Sequence, residues 1–464
     1  MNLSPSMAEL CAAVKGRPLR GRLDAAFAGA SIDTRTLERG NVFFALAGSR
    51  THGHRFVSAA CARGAAGAVI ERSLAGVRLG RAFPVIRVGD SVAALQRGAA
   101  WYRGRFHLPL IGITGSNGKT TAKEMTAWIL RKLGGVVATR GSLNNHLGVP
   151  LTLFDLYPGA AAAVVEIGMN HPGEIRKLAG LAAPNIGVLL NAGTAHMGFF
   201  RNRKEVARAK AEIIEGLTQG NWAVLNADDP CVWPHRRGTR ARVVGFGFGK
   251  ADVRAEEVRT DRLGYPSFRL VTPDGSARAR LRVLGRHNVS NAAAAAAVGW
   301  IMGLKTADVA ASLSSFSFSL PMRMERSRIC GATAIVDCYN ANAESCLAAF
   351  SFLRSTGARN PVLVLGEIRE LGLHSTSTHR QVGAAAARLN PRLLVGVGRL
   401  ARPLVKAAMD AGVEKALWVD KAEEAAGPLA RVLKSGTVAL FKASRGVHLE
   451  CLVNRLKEGV KLAV

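Results

Sequence analysis

Short apolar runs recur along the chain, each closed by glycine, proline or polar residues, and between them lie longer segments with apolar residues three and four apart. The short runs read as buried strands and the spaced segments as amphipathic helices. Residues 7–14 read as a helix, and 30–35 and 40–48 as strand, turn and strand. Residues 53–64 form a helix with a glycine stop, 68–70 and 83–88 are strands, and a helix follows through Trp101. Residues 103–109 read as a linker, with Pro109 as the break.

Beyond it, apolar runs at 110–113, 161–167, 185–190 and 221–226 alternate with helical patterns. Fully apolar strands with helices between them imply a parallel sheet covered on both faces. From 252 to 283 the pattern changes to polar/apolar alternation with turns at 264–266 and 273–275, which predicts antiparallel hairpins. An alanine-rich helix over 288–303 follows. A third set of strands lies at 334–336, 361–365, 393–397, 416–419 and 437–441. The expected fold is α/β in three domains. These are a small N-terminal α/β domain (1–108), a central P-loop parallel-sheet ATPase-like domain (109–319) and a C-terminal Rossmann-like domain (320–464).

Composition supports this picture. The 464 residues exceed one core, and 48% hydrophobic with 6% aromatic content suits a soluble protein of this class. No apolar run approaches the ~20 residues of a membrane span, and the first residues lack the order of a signal peptide. Seven scattered cysteines without a C-x-x-C pair fit free thiols in a reducing, cytoplasmic compartment and argue against structural zinc. The formal net charge of +30 taken alone points to a polyanion. Its even spread, mostly as arginine, without a tail or a dense basic block, fits attraction of anionic small substrates better than nucleic-acid binding.

The strongest chemistry follows the run at 110–113. Gly115-Ser-Asn-Gly118-Lys119-Thr120-Thr121 joins a strand to a helix, the context of a phosphate-binding loop, although Ile113 stands where the strict pattern has glycine. Glycine lets backbone N–H groups approach phosphate oxygens. Lys119 can reach terminal phosphates, and Thr120 can ligate Mg²⁺. Ligands of parallel sheets sit at the carboxyl ends of strands. That rule adds Glu166, Asn191 and the loop 194–196 with His196. Glu166 can hold Mg²⁺ and can equally be a surface carboxylate; His196 alone reads more readily as a structural hydrogen-bonding residue. Lys210 lies in a helix and has no special periodicity. Asn288 and Asn291 can face a purine, or Asn288 can cap its helix. The loops 337–342, 366–372 and 442–445 all follow strands of the third unit and define a second half-site.

These motifs together carry a resemblance. Thr114-Gly-Ser-Asn-Gly-Lys-Thr-Thr121, Asn144-Asn-His-Leu-Gly-Val-Pro150, Glu166-Ile-Gly-Met-Asn-His-Pro-Gly-Glu174, Ala209-Lys-Ala-Glu212, Gly285-Arg-His-Asn-Val-Ser-Asn291, Asp337-Cys-Tyr-Asn-Ala-Asn342 and Lys442-Ala-Ser-Arg445 resemble the Mur ligases. The Tyr-Asn-Ala-Asn stretch and Gly366-Glu-Ile-Arg-Glu-Leu-Gly372 point to the branch that adds D-Ala-D-Ala. The resemblance implies an ATP-dependent amide ligase joining D-alanyl-D-alanine to a UDP-N-acetylmuramoyl-tripeptide through an acyl phosphate, acting as a monomer. It places the UDP moiety at Ser31, Asp33, Thr34 and Arg35, ATP on the phosphate loop, and Mg²⁺, two ions in all, at Thr120, Glu166, His196 and Lys210. Lys210 matches a carbamoylated lysine. Asn288 and Asn291 match adenine contacts, and Arg323 and Asp337 match nucleotide contacts from the closing domain. Asn144, Asn145, Tyr339, Asn340, Asn342 and Arg445 match the substrate side. Met322 and Ala443 stand where the family usually has glycine, and Cys338 where it has serine. The remaining readings are a sister ligase adding another amino acid, a P-loop kinase or NTPase without amide formation, and a basic nucleic-acid-binding protein.

Overall fold

A computed structural model of the chain describes residues 5–48, 51–74, 79–194, 197–317 and 321–458. Its strands form three sheets. In the first, the spatial order is Arg17–Arg20, Val85–Arg87, Gly67–Ile70, Val42–Phe44 and Ala30–Ser31, and only the first pairing is antiparallel. The helix Met7–Ala13 opens on a capping box between Ser6 and Glu9. The predicted helix over 53–64 is split into a 3₁₀ turn, Gly53–Phe56, and a short α-helix, Val57–Ala62.

The second sheet has nine strands. Its parallel centre runs Trp222–Asn226, Ile186–Leu189, Leu110–Thr114, Ala160–Glu166 and Gly135–Ala138. Leu110–Thr114 lies where the order reverses: the chain next builds two strands on one side and then crosses to the other. The carboxyl end of such a strand is the crevice in which open parallel sheets bind ligands. Register explains the neighbours of that crevice. Ile113 pairs with Glu166, and Thr114 with Leu189, so Glu166 and Asn191 flank the loop that leaves Thr114. The antiparallel hairpins predicted after residue 252 form the far edge, Val253–Thr260, Pro266–Thr272 and Gly275–Arg280.

The third sheet runs Glu325–Ile329, Ala332–Asp337, Val438–Lys442, Val362–Gly366, Leu393–Val397 and Ala416–Val419, parallel but for the first strand. Asp337 pairs in register with Lys442, which sets both residues side by side at the carboxyl ends of their strands.

The first two sheets share one apolar cluster. Phe27 and Phe44 from the first pack with Phe154 from the second, and Tyr102 bridges them, its ring 5.4 Å from that of Phe154 and its hydroxyl donating to the Leu156 carbonyl at 3.0 Å. The presumed linker is part of this packing. Arg103 ends the helix Ser91–Arg103, is buried, and donates to the Ala182 and Phe106 carbonyls. The third sheet has its own two clusters, one on each face. It meets the second unit through Phe352 against Gly264, Leu284 in its cluster, and a set of hydrogen bonds. Among the described residues, no helix is long and apolar enough to cross a membrane, and all seven cysteines are free.

Candidate active site

The helix Lys119–Leu130 starts directly at the loop after Thr114, and Gly118 at its N-cap has φ +82°. That left-handed backbone favours glycine, and the Asn291 carboxamide occupies the space a Cβ would need. The loop is braced from a second strand end. Asn117 N–H donates to Asn191 Oδ1 at 2.9 Å, Asn191 Nδ2 donates back to the Asn117 carbonyl at 3.0 Å, and Gly193 N–H donates to Ser116 Oγ at 2.8 Å. Asp229 and Arg203 hold that brace in turn, through Ala192.

Lys119 Nζ lies 2.8 Å from the Gly115 carbonyl, and Lys210 Nζ, fully buried, reaches the same oxygen at 3.2 Å. Burial pushes the Lys119 ammonium below the usual lysine range, opposed by the nearby Glu166 charge. Lys210 is driven well below that range by burial and by Lys119.

Glu166 is almost wholly buried. One carboxylate oxygen accepts from Asn144 Nδ2 at 2.6 Å; the other, Oε2, is buried without a hydrogen-bond partner. An orphaned buried carboxylate oxygen is costly unless a cation completes it. Among the described residues no three His, Cys, Asp or Glu side chains converge on a point. A cation beside Glu166 and Thr120 would therefore take most of its ligands from phosphate and water oxygens, the habit of Mg²⁺. The residues fit that ion. His196 lies outside the described residues.

Glu166, Thr120 and Thr121 line a cleft of about 940 Å³ together with residues 116–119. Asn144, Asn145, Asn288, Asn291, Arg323, Asp337, Tyr339, Asn340 and Asn342 line it too, so loops of the second and third sheets face one space. Arg323 stacks over the Tyr339 ring at 4.0 Å, and Tyr339 hydrogen-bonds Ser142 across the cleft. Asp337 pairs with Lys442 at 2.5 Å and accepts from Met324 N–H. Asn342 caps the helix Ala343–Ser355 and donates to Asn117 Oδ1 at 2.8 Å. Asn145 Oδ1 accepts from the N–H groups of Leu147 and Gly148, at 3.1 and 2.9 Å, just ahead of the helix Gly148–Phe154. Asn288 does not cap its helix, which starts at His287; its Nδ2 donates to the Leu284 carbonyl while its Oδ1 accepts from Asn291.

Other expected residues stand apart from the cleft lining. Gly115 opens the loop without lining the cleft, and Lys210 reaches its carbonyl from the buried side. Arg445 reaches Glu450 and the sulfur of Met322. Ser31, Asp33, Thr34 and Arg35 form a turn on the first unit, with Ser31 Oγ donating to the Asp33 carbonyl and Arg35 ion-paired to Asp33.

The chain matches the model of the Mur ligase middle domain over residues 113–299 and that of the Mur ligase glutamate ligase domain over 322–445. It is 35% identical to the UDP-N-acetylmuramoyl-tripeptide–D-alanyl-D-alanine ligase of Mycobacterium leprae, over 91% of this chain and 92% of that one. The chain belongs to the Mur ligase family. Its fold is that family's three-domain architecture. A crystal structure of MurF from Acinetobacter baumannii superposes with TM-score 0.87 at 32% identity, covering 98% of this chain and 99% of that one. MurF ligase from Thermotoga maritima in complex with ADP gives 0.79 at 28% identity, covering 93% and 97%.

Three residues of this Mur ligase escape a reading of its motifs. Lys123 is fully buried; its ammonium donates to the Thr139 carbonyl at 2.6 Å and the Gly141 carbonyl at 3.1 Å, and pairs with Glu124. It thereby pins the loop that carries Ser142 and Asn144. The sequence signal was a lysine sharing one helix face with Thr126, Ala127 and Leu130, all of which are buried. Asp229 and Glu344 had no local signal, because their partners lie far along the chain.

Proposed function

We propose that this chain is an ATP-dependent amide ligase that joins D-alanyl-D-alanine to UDP-N-acetylmuramoyl-tripeptide, in the cytoplasmic phase of peptidoglycan synthesis. The observation that carries the reading is the single cleft lined by the phosphate loop, Glu166 and the loop 337–342. A kinase or NTPase needs the first two alone. The third supplies a place for an acceptor amine beside the phosphoryl group. The relatives at about 35% identity, matched over nearly their whole length, are named for this reaction, which disfavours a sister ligase.

The tripeptide carboxylate attacks the γ-phosphorus of ATP, and ADP leaves. The amine of the dipeptide then attacks the acyl carbon, loses a proton, and inorganic phosphate departs. The loop backbone and Lys119 hold the phosphates and offset their charge, which is most of what phosphoryl transfer asks of a protein. Bound at Glu166 and Thr120, Mg²⁺ would neutralise charge on the transferring phosphoryl oxygens. Lys210, which burial and Lys119 drive well below the usual lysine range, is the residue we assign to carbamoylation, which would make it an anionic partner for Lys119 and for a second cation; His196 is assigned to that cation from its motif alone. Asn288 and Asn291 are assigned to adenine, Arg323 and Asp337 to the nucleotide, and Tyr339, Asn340 and Asn342 to the dipeptide. The turn at Ser31–Arg35 on the N-terminal domain, and Asn144, Asn145 and Arg445, are assigned to the UDP-peptide side. A monomer suffices, since one chain supplies every group.

Phosphate release from ATP should require both the UDP-tripeptide and D-Ala-D-Ala, with the ligated pentapeptide identified by mass. Release with ATP alone, or with either substrate alone at the same rate, overturns the reading.

A further inference from the structure

Glu344 lies in the first turn of the helix Ala343–Ser355, on the domain opposite the phosphate loop. Its carboxylate takes two hydrogen bonds from one residue of the central domain. Oε1 accepts from Thr194 N–H and Oε2 from the Thr194 hydroxyl, both at 2.8 Å. A carboxylate in the first helical turn is favoured by the partial positive charge there, and an ionised acceptor makes strong bonds. Two bonds to one residue also fix orientation, which a single bond does not.

The place of this clamp gives it meaning. Gly193, next to Thr194, donates to Ser116 in the phosphate loop, and the Glu344 carboxylate lies so close to Gly193 that a Cβ there would meet it at 3.2 Å. Two residues before Glu344, Asn342 donates to Asn117 of the same loop. One helix start of the C-terminal domain thus grips the phosphate loop directly and through its brace. The brace itself is independent of the grip, since Asn191, Asp229 and Arg203 hold it from within the central domain.

We propose that Glu344 is a positioning residue that couples acyl-phosphate formation to amide formation by holding the C-terminal domain on Thr194. The inference rests on the amide-ligase reading above. With the clamp shut, the amine is the nucleophile nearest the acyl carbon and water is excluded. With it open, water adds to the acyl carbon, the bond to the phosphate oxygen breaks, and the free acid and inorganic phosphate leave without amide.

The test is Glu344→Gln, whose amide nitrogen faces a donor where the carboxylate accepted. Phosphate and amide product are counted in the same reaction, and ADP affinity is measured by calorimetry. Expected are a fall in amide turnover of about 10-fold to 100-fold, as for other misplaced positioning groups, a rise in phosphate released per amide formed, and ADP affinity within about threefold of wild type because the phosphate loop keeps its own brace. Thr194→Val removes one bond without adding a polar group and should give a smaller rise in the same ratio; Thr194→Ser should restore it. A wild-type ratio in both Glu344→Gln and Thr194→Val overturns the inference. So does a parallel loss of ADP binding and turnover with the ratio unchanged, which marks Glu344 as structural. Uncoupled or absent turnover in the wild type would instead sink the amide-ligase reading itself.

Discussion

Lys119 and Lys210 converge on one acceptor, the Gly115 carbonyl oxygen, at 2.8 and 3.2 Å. Two ammonium groups on one oxygen repel, and the fully buried Lys210 is the one pushed further toward its neutral form. The carbamate proposed for Lys210 would replace repulsion from Lys119 by attraction, and the downward shift of its pKa favours the neutral amine that would form it. Lys210→Ala should lower turnover by about 100-fold or more, the scale of losing a preorganised electrostatic group, with partial recovery on adding bicarbonate or short carboxylates. Lys210→Arg should be equally slow and show no recovery. Full activity of Lys210→Ala in a phosphate-release assay removes the carbamate role.

Lys123 should matter for folding before it matters for chemistry. Lys123→Met keeps the length and orphans the carbonyls of Thr139 and Gly141, which costs about 2–4 kcal/mol for two unsatisfied acceptors. The loop they hold carries Asn144, the partner of Glu166. Thermal denaturation should show a clear loss, and the Mg²⁺ concentration for half-maximal rate should rise in the protein that remains folded. An unchanged melting temperature contradicts the buried-anchor role.

Met322 is a non-glycine residue with a φ of +60°. A left-handed backbone costs an L-residue roughly 1–2 kcal/mol. Met322→Gly should therefore be neutral or stabilising by up to about 1 kcal/mol, the backbone relief being offset by glycine's greater freedom when unfolded. Met322→Ile, β-branched at the same φ, should destabilise. Equal unfolding midpoints for the two variants would contradict the strain.

His379 is fully buried; its Nε2 faces Ile368 N–H at 3.0 Å and its Nδ1 faces the Ser375 carbonyl at 2.7 Å. Only the neutral ring, protonated on Nδ1, satisfies both. Burial lowers its pKa from 6.5. Its contribution is therefore present above the unfolded-state value and fades as pH falls through the lower folded-state value. The backbone at Ile368 depends on that contact, so stability should fall on acidification below about pH 6.5. His379→Gln should flatten this part of the profile, seen by comparing unfolding midpoints against pH in the two proteins. An identical profile assigns the acid loss elsewhere.

Much of this fold is legible in local pattern. The parallel strands 110–113 and 362–366 are unbroken apolar runs because both faces of their sheets are covered. The strands that escape notice are edges or glycine-rich. Arg17–Arg20 is mostly exposed and contains Pro18, Glu325–Ile329 alternates charged and covered residues, and Arg242–Gly247 carries two glycines. Their strand state comes from pairing, which no local rule encodes. The site divides the same way. Lys119 and Thr120 are found because a phosphate loop is continuous in sequence. Glu344 is not, because its partner lies 150 residues away. Arg103 shows the converse error: a polar segment ending in proline resembles a loose connection, yet its guanidinium is packed and bonded.

The aromatic cluster that fastens the first sheet to the second has a mechanical outcome. With Phe27, Phe44, Tyr102 and Phe154 interlocked, rotating one sheet against the other would break a core, whereas parting the third sheet from the second would uncover Phe352 and Leu284 and release the bonds at Thr194 and Asn117. Three sheets thus make two bodies. A scanning calorimeter should resolve two endotherms, and any swing that admits substrate should leave the seam at Tyr102 intact.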